Sequence, residues 1–187
     1  MKVRITPARL WFAFAALILL TRSTHLAFST ALPDATVALM LLGGMWVRRW
    51  PGFAGLMAAV FAADWLASGT LGVPDDCFTP AYAGLVPAYL AVWSAGSWLQ
   101  AKWPRQSLLP WLGTMLVSSA AAFALSNAFW YAFSGRFDGW PAARFAAEVV
   151  RYYPAYAGTG LGYVTLAWLV CLAARHLVRS HSLGAAA

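Results

Sequence analysis

Charge is scarce in this chain. Asp, Glu, Lys and Arg make up 10% of its 187 residues, and only six of them are acids, where a soluble domain carries about a quarter. Hydrophobic residues reach 61%, with a mean hydropathy of +0.64. Too little polar surface remains to face water all round, which excludes a soluble domain and predicts an integral membrane protein. The formal net charge of +7 does not point to nucleic acid. Its Lys and Arg sit at the ends of apolar runs and not along one face or arm. Catalytic signatures are lacking as well: there is no G-x-S-x-G, H-E-x-x-H, Walker lysine or C-x-x-C. The segment "GTGLG" at 158–162 follows no strand and does not match G-x-G-x-x-G. Its glycines read as small residues for close helix packing, as do Gly43-Gly44 and "SSAAA" at 118–122. No alternating strand pattern persists, and no soluble linker, low-complexity segment or internal repeat divides the chain. One domain is expected over 1–187.

What is there is a series of six apolar runs, at about 8–30, 34–48, 51–68, 80–100, 108–133 and 152–176. A spanning helix needs about 20 residues. The second run is short, which calls for shelter among its neighbours or an earlier start. The third opens with Pro51, a residue favoured in a first helical turn. The prediction is an all-α bundle of six transmembrane helices.

Orientation follows from the basic residues. With the N-terminus inside, the inner ends hold Lys2, Arg4, Arg9, Arg48, Arg49, Lys102, Arg105, Arg175 and Arg179. The outer ends hold Arg22, Arg136, Arg144 and Arg151. All six acids, Asp34, Asp64, Asp75, Asp76, Asp138 and Glu148, fall on the outer side. The topology expected is therefore N-in and C-in. A cleaved signal peptide is the competing reading of the first run, given its basic residues, its apolar Leu10–Leu20 core and the small residues near Ala31. Of the eleven Trp, Trp46, Trp50, Trp103 and Trp111 fall near the inner boundary. Trp65, Trp130 and Trp140 fall near the outer one, and all read as interfacial anchors.

Only two cysteines occur, Cys77 and Cys171. They lie at opposite ends of the bundle, about 25 Å apart along the last helix, which excludes a disulfide between them. Cys171 reads as a packing residue. Cys77 follows Pro74-Asp75-Asp76 in an outer loop, where a lone thiol is a liability unless something occupies it. His25 shares a helix face with Thr21 and Ser29. It reads either as a polar boundary residue or, with Cys77 on the same side, as a ligand. Asp64 reads either as a partner for Arg22 or a backbone cap, or as a functional intramembrane acid. Asn127, Trp130, Tyr131, Tyr152, Tyr153 and Tyr156 add aromatic and amide groups at the same level.

Six short helices and an outward polar cavity resemble the S components of energy-coupling factor vitamin transporters. The stretches "TRSTHLAFSTALPDATVALMLLGG" and "FAADWLASGTLGVPDDCFTPAYAGLVPAYL" resemble the BtuM-type solitary cobalamin S components, the cysteine after "PDD" above all. The resemblance implies a multi-pass protein of the bacterial inner membrane that binds vitamin B12 at its outer face and takes it up. It implies Cys77 as cobalt ligand; His25, on the same outer side, is placed to take the opposite axial position. Asp64, Asn127, Tyr131, Tyr153 and Tyr156 would line the vitamin site. The A-x-x-x-A of the inner first helix, where S components meet their coupling subunit, is missing; Ala27 and Ala31 have that spacing at the outer end. That suits a solitary member over one tied to an energy-coupling module.

The residues agree with this chemistry. A corrin has apolar faces, an amide rim and axial cobalt positions, and it wants aromatic walls with a few polar groups. Asp75 and Asp76 disfavour a free thiolate, whereas a coordinating thiol loses its proton outright. A cobalt-bound Cys77 would displace cyanide from cyanocobalamin, with an added reductant, making Cys77 the catalytic group of a decyanation. Three alternatives stand beside this reading. They are an S component for another vitamin, a membrane metal or haem site built on Cys77, His25 and the acids, and a membrane enzyme with Cys77 as nucleophile.

Overall fold

The computed structural model describes residues 6–27, 32–70, 78–103 and 107–184. These residues form seven α-helices and no strand. α1 covers Pro7–Ala27, α2 Thr36–Trp46, α3 Trp50–Thr70, α4 Leu85–Lys102, α5 Leu108–Phe133, α6 Ala142–Val150 and α7 Tyr153–Gly184, and a 3₁₀ turn, Pro80–Gly84, leads directly into α4. Among the described residues three helices are long and apolar enough to cross a membrane: α3, α5 and the Tyr153–Leu177 part of α7.

α2 resolves the puzzle of the short second run. Its 11 residues rise only about 16 Å, roughly half a hydrocarbon core. Every residue from Thr36 to Met45 is buried, so the helix is sheltered by its neighbours and does not have to match the hydrocarbon thickness by its own length. It lies against α4 above all, and also touches α1, α3 and α7. The contact with α4 is made by backbone. A Cβ on Gly44 would stand 2.0 Å from the Trp93 carbonyl oxygen, and one on Gly96 would stand 2.1 Å from that of Leu41. The Ser97 hydroxyl donates to the Gly44 carbonyl oxygen across the same seam at 2.9 Å. Close approach through small residues is how helices gain packing where water supplies no driving force.

α1 packs on α3, with Trp11 Nε1 donating to the Gly52 carbonyl oxygen at 3.1 Å. α5 lies between α4 and α7. Within "GTGLG" only Gly160 is at a tight contact, against the Met115 methyl; Gly158 and Gly162 face open space. Two of the tryptophans expected at the inner boundary belong to the core. Trp111 is 1% exposed and packs edge-on to the half-buried Trp46 at 5.9 Å. Trp50, Trp65 and Trp103 are exposed, as anchoring requires.

α6 was not among the six runs. Of its nine residues only Phe145 is buried, where it meets Tyr131 at 5.0 Å and Phe137 at 4.7 Å. Arg144 stacks over Trp140 at 3.9 Å. This aromatic cluster folds the 134–152 connection onto the end of α5.

Candidate functional site

An arginine deep in an apolar helix cannot shed its proton, so the fold must bring it partners. Arg22, five residues before the end of α1, is surrounded by them. Its Nε donates to Asp64 Oδ1 at 2.6 Å and its Nη2 to Asp64 Oδ2 at 2.8 Å, a two-pronged pair. Nη1 donates to Asp34 Oδ2 at 2.9 Å and to the Tyr89 hydroxyl at 3.1 Å. Tyr82 donates its hydroxyl to Asp64 Oδ2 at 2.8 Å. Asp34 Oδ1 accepts from the backbone N–H of Thr36 at 2.9 Å and from its hydroxyl. Thr21, one residue before Arg22, accepts the Ala35 N–H at 3.2 Å. One guanidinium thus ties α1 to the start of α2, to α3 and to α4, and through Asp64 to the 3₁₀ turn.

The Asp64 side chain is 3% exposed and that of Asp34 24%, so the cluster lies where charge must be paired to be tolerated. It holds two carboxylates against one guanidinium, a formal charge of −1. Of the two readings of Asp64, the partnership with Arg22 is the one the geometry realises, and Arg22 and Asp64 also line an open hollow. That cleft, about 230 Å³, runs between the 3₁₀ turn and α5, with Tyr82, Ser126, Asn127 and Trp130 on its walls. A Cβ on Gly84 would stand 2.3 Å from Phe129 Cβ, so glycine is what lets the turn lie this close to α5. Asn127 spends its amide nitrogen on the Phe123 carbonyl oxygen at 2.8 Å; its amide oxygen remains to accept.

Asp64 and Asn127 are therefore brought together, and the other sequence-derived positions are dispersed. Tyr131 donates to the Trp140 carbonyl oxygen at 2.8 Å inside the aromatic cluster of the 134–152 connection. Tyr153 donates to the Leu116 carbonyl oxygen at 3.0 Å, with Ser119 Oγ at 3.4 Å. Leu116 and Ser119 lie eight or more residues before Asn127 on α5, about 12 Å along the axis, so Tyr153 is not at the level expected for it. Tyr156 packs its half-buried ring on Phe123 at 5.4 Å. None of these three lines the cleft. His25 lies in α1, three residues beyond Arg22, with only its backbone described; Cys77, Asp75 and Asp76 lie outside the described residues. Phe78, which follows Cys77 in the chain, stacks on Tyr82 at 5.4 Å. Among the described residues no group of three or more His, Cys, Asp or Glu gathers to hold a metal.

Sequence reasoning passed over Tyr82 and Tyr89. Their spacing of seven was the signal available: across the turn into α4 it puts both hydroxyls on the side that meets Arg22. Comparison with known families and with curated proteins gives no match for this chain.

Proposed function

We propose that this chain is a solitary cobalamin-binding protein of the S-component kind, resident in the bacterial inner membrane with six crossings, both termini inside and the Arg22 end outside. The single observation that carries the reading is the contact of the cleft with Phe78, the first described residue after the loop that contains Cys77. Tyr82 lines the cleft, bonds Asp64 and stacks on Phe78, the residue next to Cys77. A thiol held by that loop would meet a substrate seated over Trp130, Tyr82 and Asn127. Drug-sized ligands occupy roughly 300–1,000 Å³, and a cleft of about 230 Å³ takes an amide arm of the corrin and not the ring. The ring would lie across the mouth, with its apolar face on the aromatic wall and its cobalt toward Cys77.

Cobalamin here is substrate, not resident cofactor. The Cys77 thiol would exchange for cyanide on trivalent cobalt: the Co–C bond breaks, a Co–S bond forms, and the thiol proton leaves with cyanide as HCN. Positioning supplies the driving force in rate, since a held nucleophile can act at about 10⁵ M or more. An added thiol then replaces Cys77 by a second exchange: its own Co–S bond forms as the Cys77 Co–S bond breaks, its proton passes to the Cys77 sulfur, and cobalt stays trivalent. Colour separates cobalamin from zinc, the form of the visible spectrum separates it from haem and from another vitamin, and turnover of a thioester or peptide would favour the enzyme with Cys77 as nucleophile. The protein purified with cyanocobalamin should be coloured, and Cys77→Ser should alter the visible spectrum and abolish decyanation while retaining part of the binding. A colourless protein, or a Cys77→Ser variant that releases cyanide at the parent rate, overturns the proposal.

A further inference from the structure

The opposite end of the bundle carries a second polar site. Asp64 lies fourteen residues into α3, about 21 Å from the turn that joins α2 to α3, and in that turn stand Arg48 and Arg49. α2 closes with the N–H groups of Val47 and Arg48 both donating to the Gly43 carbonyl oxygen, at 2.8 and 3.1 Å. Arg48 ends the helix at φ 58°, the only non-glycine residue at positive φ among those described. Glycine is the ordinary residue at such a position, because a side chain there costs conformational energy. An arginine has been accepted where the backbone asks for glycine.

That arginine has no structural use in view. Its side chain makes no ion pair or hydrogen bond with a described residue. It lines a hollow of about 240 Å³ together with Trp50, Trp93, Ser94 and Ser97. Ser97 is committed to Gly44, while Ser94 is exposed and makes no hydrogen bond to a described residue. Arg49 lines a second hollow on the other side, with Thr6, Trp11 and Pro51. No acid stands in the first turn of α3 to offset the pair. The exposed indole of Trp50 marks a headgroup depth.

We infer that the Arg48 hollow binds the phosphodiester headgroup of an anionic phospholipid, with Arg48 and the Ser94 hydroxyl as donors. A guanidinium pairs with phosphate oxygens through two parallel N–H groups, and basic recesses between helices at a membrane face are suited to such headgroups. The inference needs only that the protein sits in a bilayer, so it stands or falls apart from what the Arg22 end binds.

The test uses the full chain in mild detergent. Phosphatidylglycerol, phosphatidylcholine and inorganic phosphate are titrated separately, with bound lipid counted by native mass spectrometry and stability followed by thermal unfolding. Phosphatidylglycerol should bind and stabilise, and the other two should not. In Arg48→Gly its affinity should fall about fivefold, while stability without lipid holds or rises because the left-handed strain is gone. That opposite movement is not expected of a merely structural arginine. Arg48→Asn, which also tolerates the conformation, should repeat the loss. Equal binding of the two lipids, equal stabilisation by inorganic phosphate, or parent-like affinity in both variants overturns the inference.

Discussion

Arg22 decides the residue-scale energetics. Removing one member of a buried ion pair leaves the others as uncompensated charge, which costs about 3–5 kcal/mol. Arg22→Ala strands both Asp34 and Asp64, so thermal unfolding in detergent should show a loss of that size. Asp64→Asn should cost less, because no bare carboxylate remains and Asp34 still pairs with Arg22. The double change Arg22→Met with Asp64→Leu should recover part of the loss; a double variant as unstable as Arg22→Ala alone would show that packing, not charge, is at stake. The pairing of Asp64 with Arg22 was legible because an acid and a base stood at matching depth on the outer side. Asp34's share in it was not, since nothing local in "LPDAT" distinguishes a helix-start aspartate from one reaching α1. Cys77 was the most conspicuous position in the sequence, yet it lies outside the described residues, and the residue that follows it, Phe78, packs on Tyr82 and Phe61.

At the scale of elements the seam between α2 and α4 is the feature most exposed to mutation. A methyl group 2.0–2.1 Å from a carbonyl oxygen cannot be absorbed by a rotamer change, because the atom it meets is backbone. Gly44→Ala and Gly96→Ala should each lose about 1–3 kcal/mol or more as the helices are forced apart. Gly158→Ala, where nothing lies within 4 Å, should be neutral or gain up to about 1 kcal/mol from helix propensity; comparison of the three melting temperatures checks this. Apolar run length revealed the helices well, and Lys, Arg and Pro marked their ends. It did not reveal α6, because "AARFAAEVV" contributes one side chain to the interior and leaves no run to see. Nor could it separate core Trp111 from exposed Trp103; indole at a helix end looks the same from sequence whether its neighbours are lipid or Trp46.

For the whole molecule, the split of charge between the ends of the bundle carries the proposed orientation, and the two cysteines report on it. An impermeant thiol reagent added to intact cells should label Cys77 and not Cys171, and bound cobalamin should protect Cys77. Labelling of Cys171 alone would reverse the orientation. The buried, half-length α2 has a further consequence, for biogenesis. A segment reaching about 16 Å cannot hold itself across a bilayer when it leaves the ribosome, and α4, the helix it fits most closely, ends 56 residues later in the chain. At about 5–20 residues per second, α2 waits several seconds for that partner. During this interval its apolar surface has only α1 and then α3 to lean on, so the nascent bundle is at its most vulnerable to proteases and to misinsertion before the α4 side of the Gly44–Gly96 seam has been made.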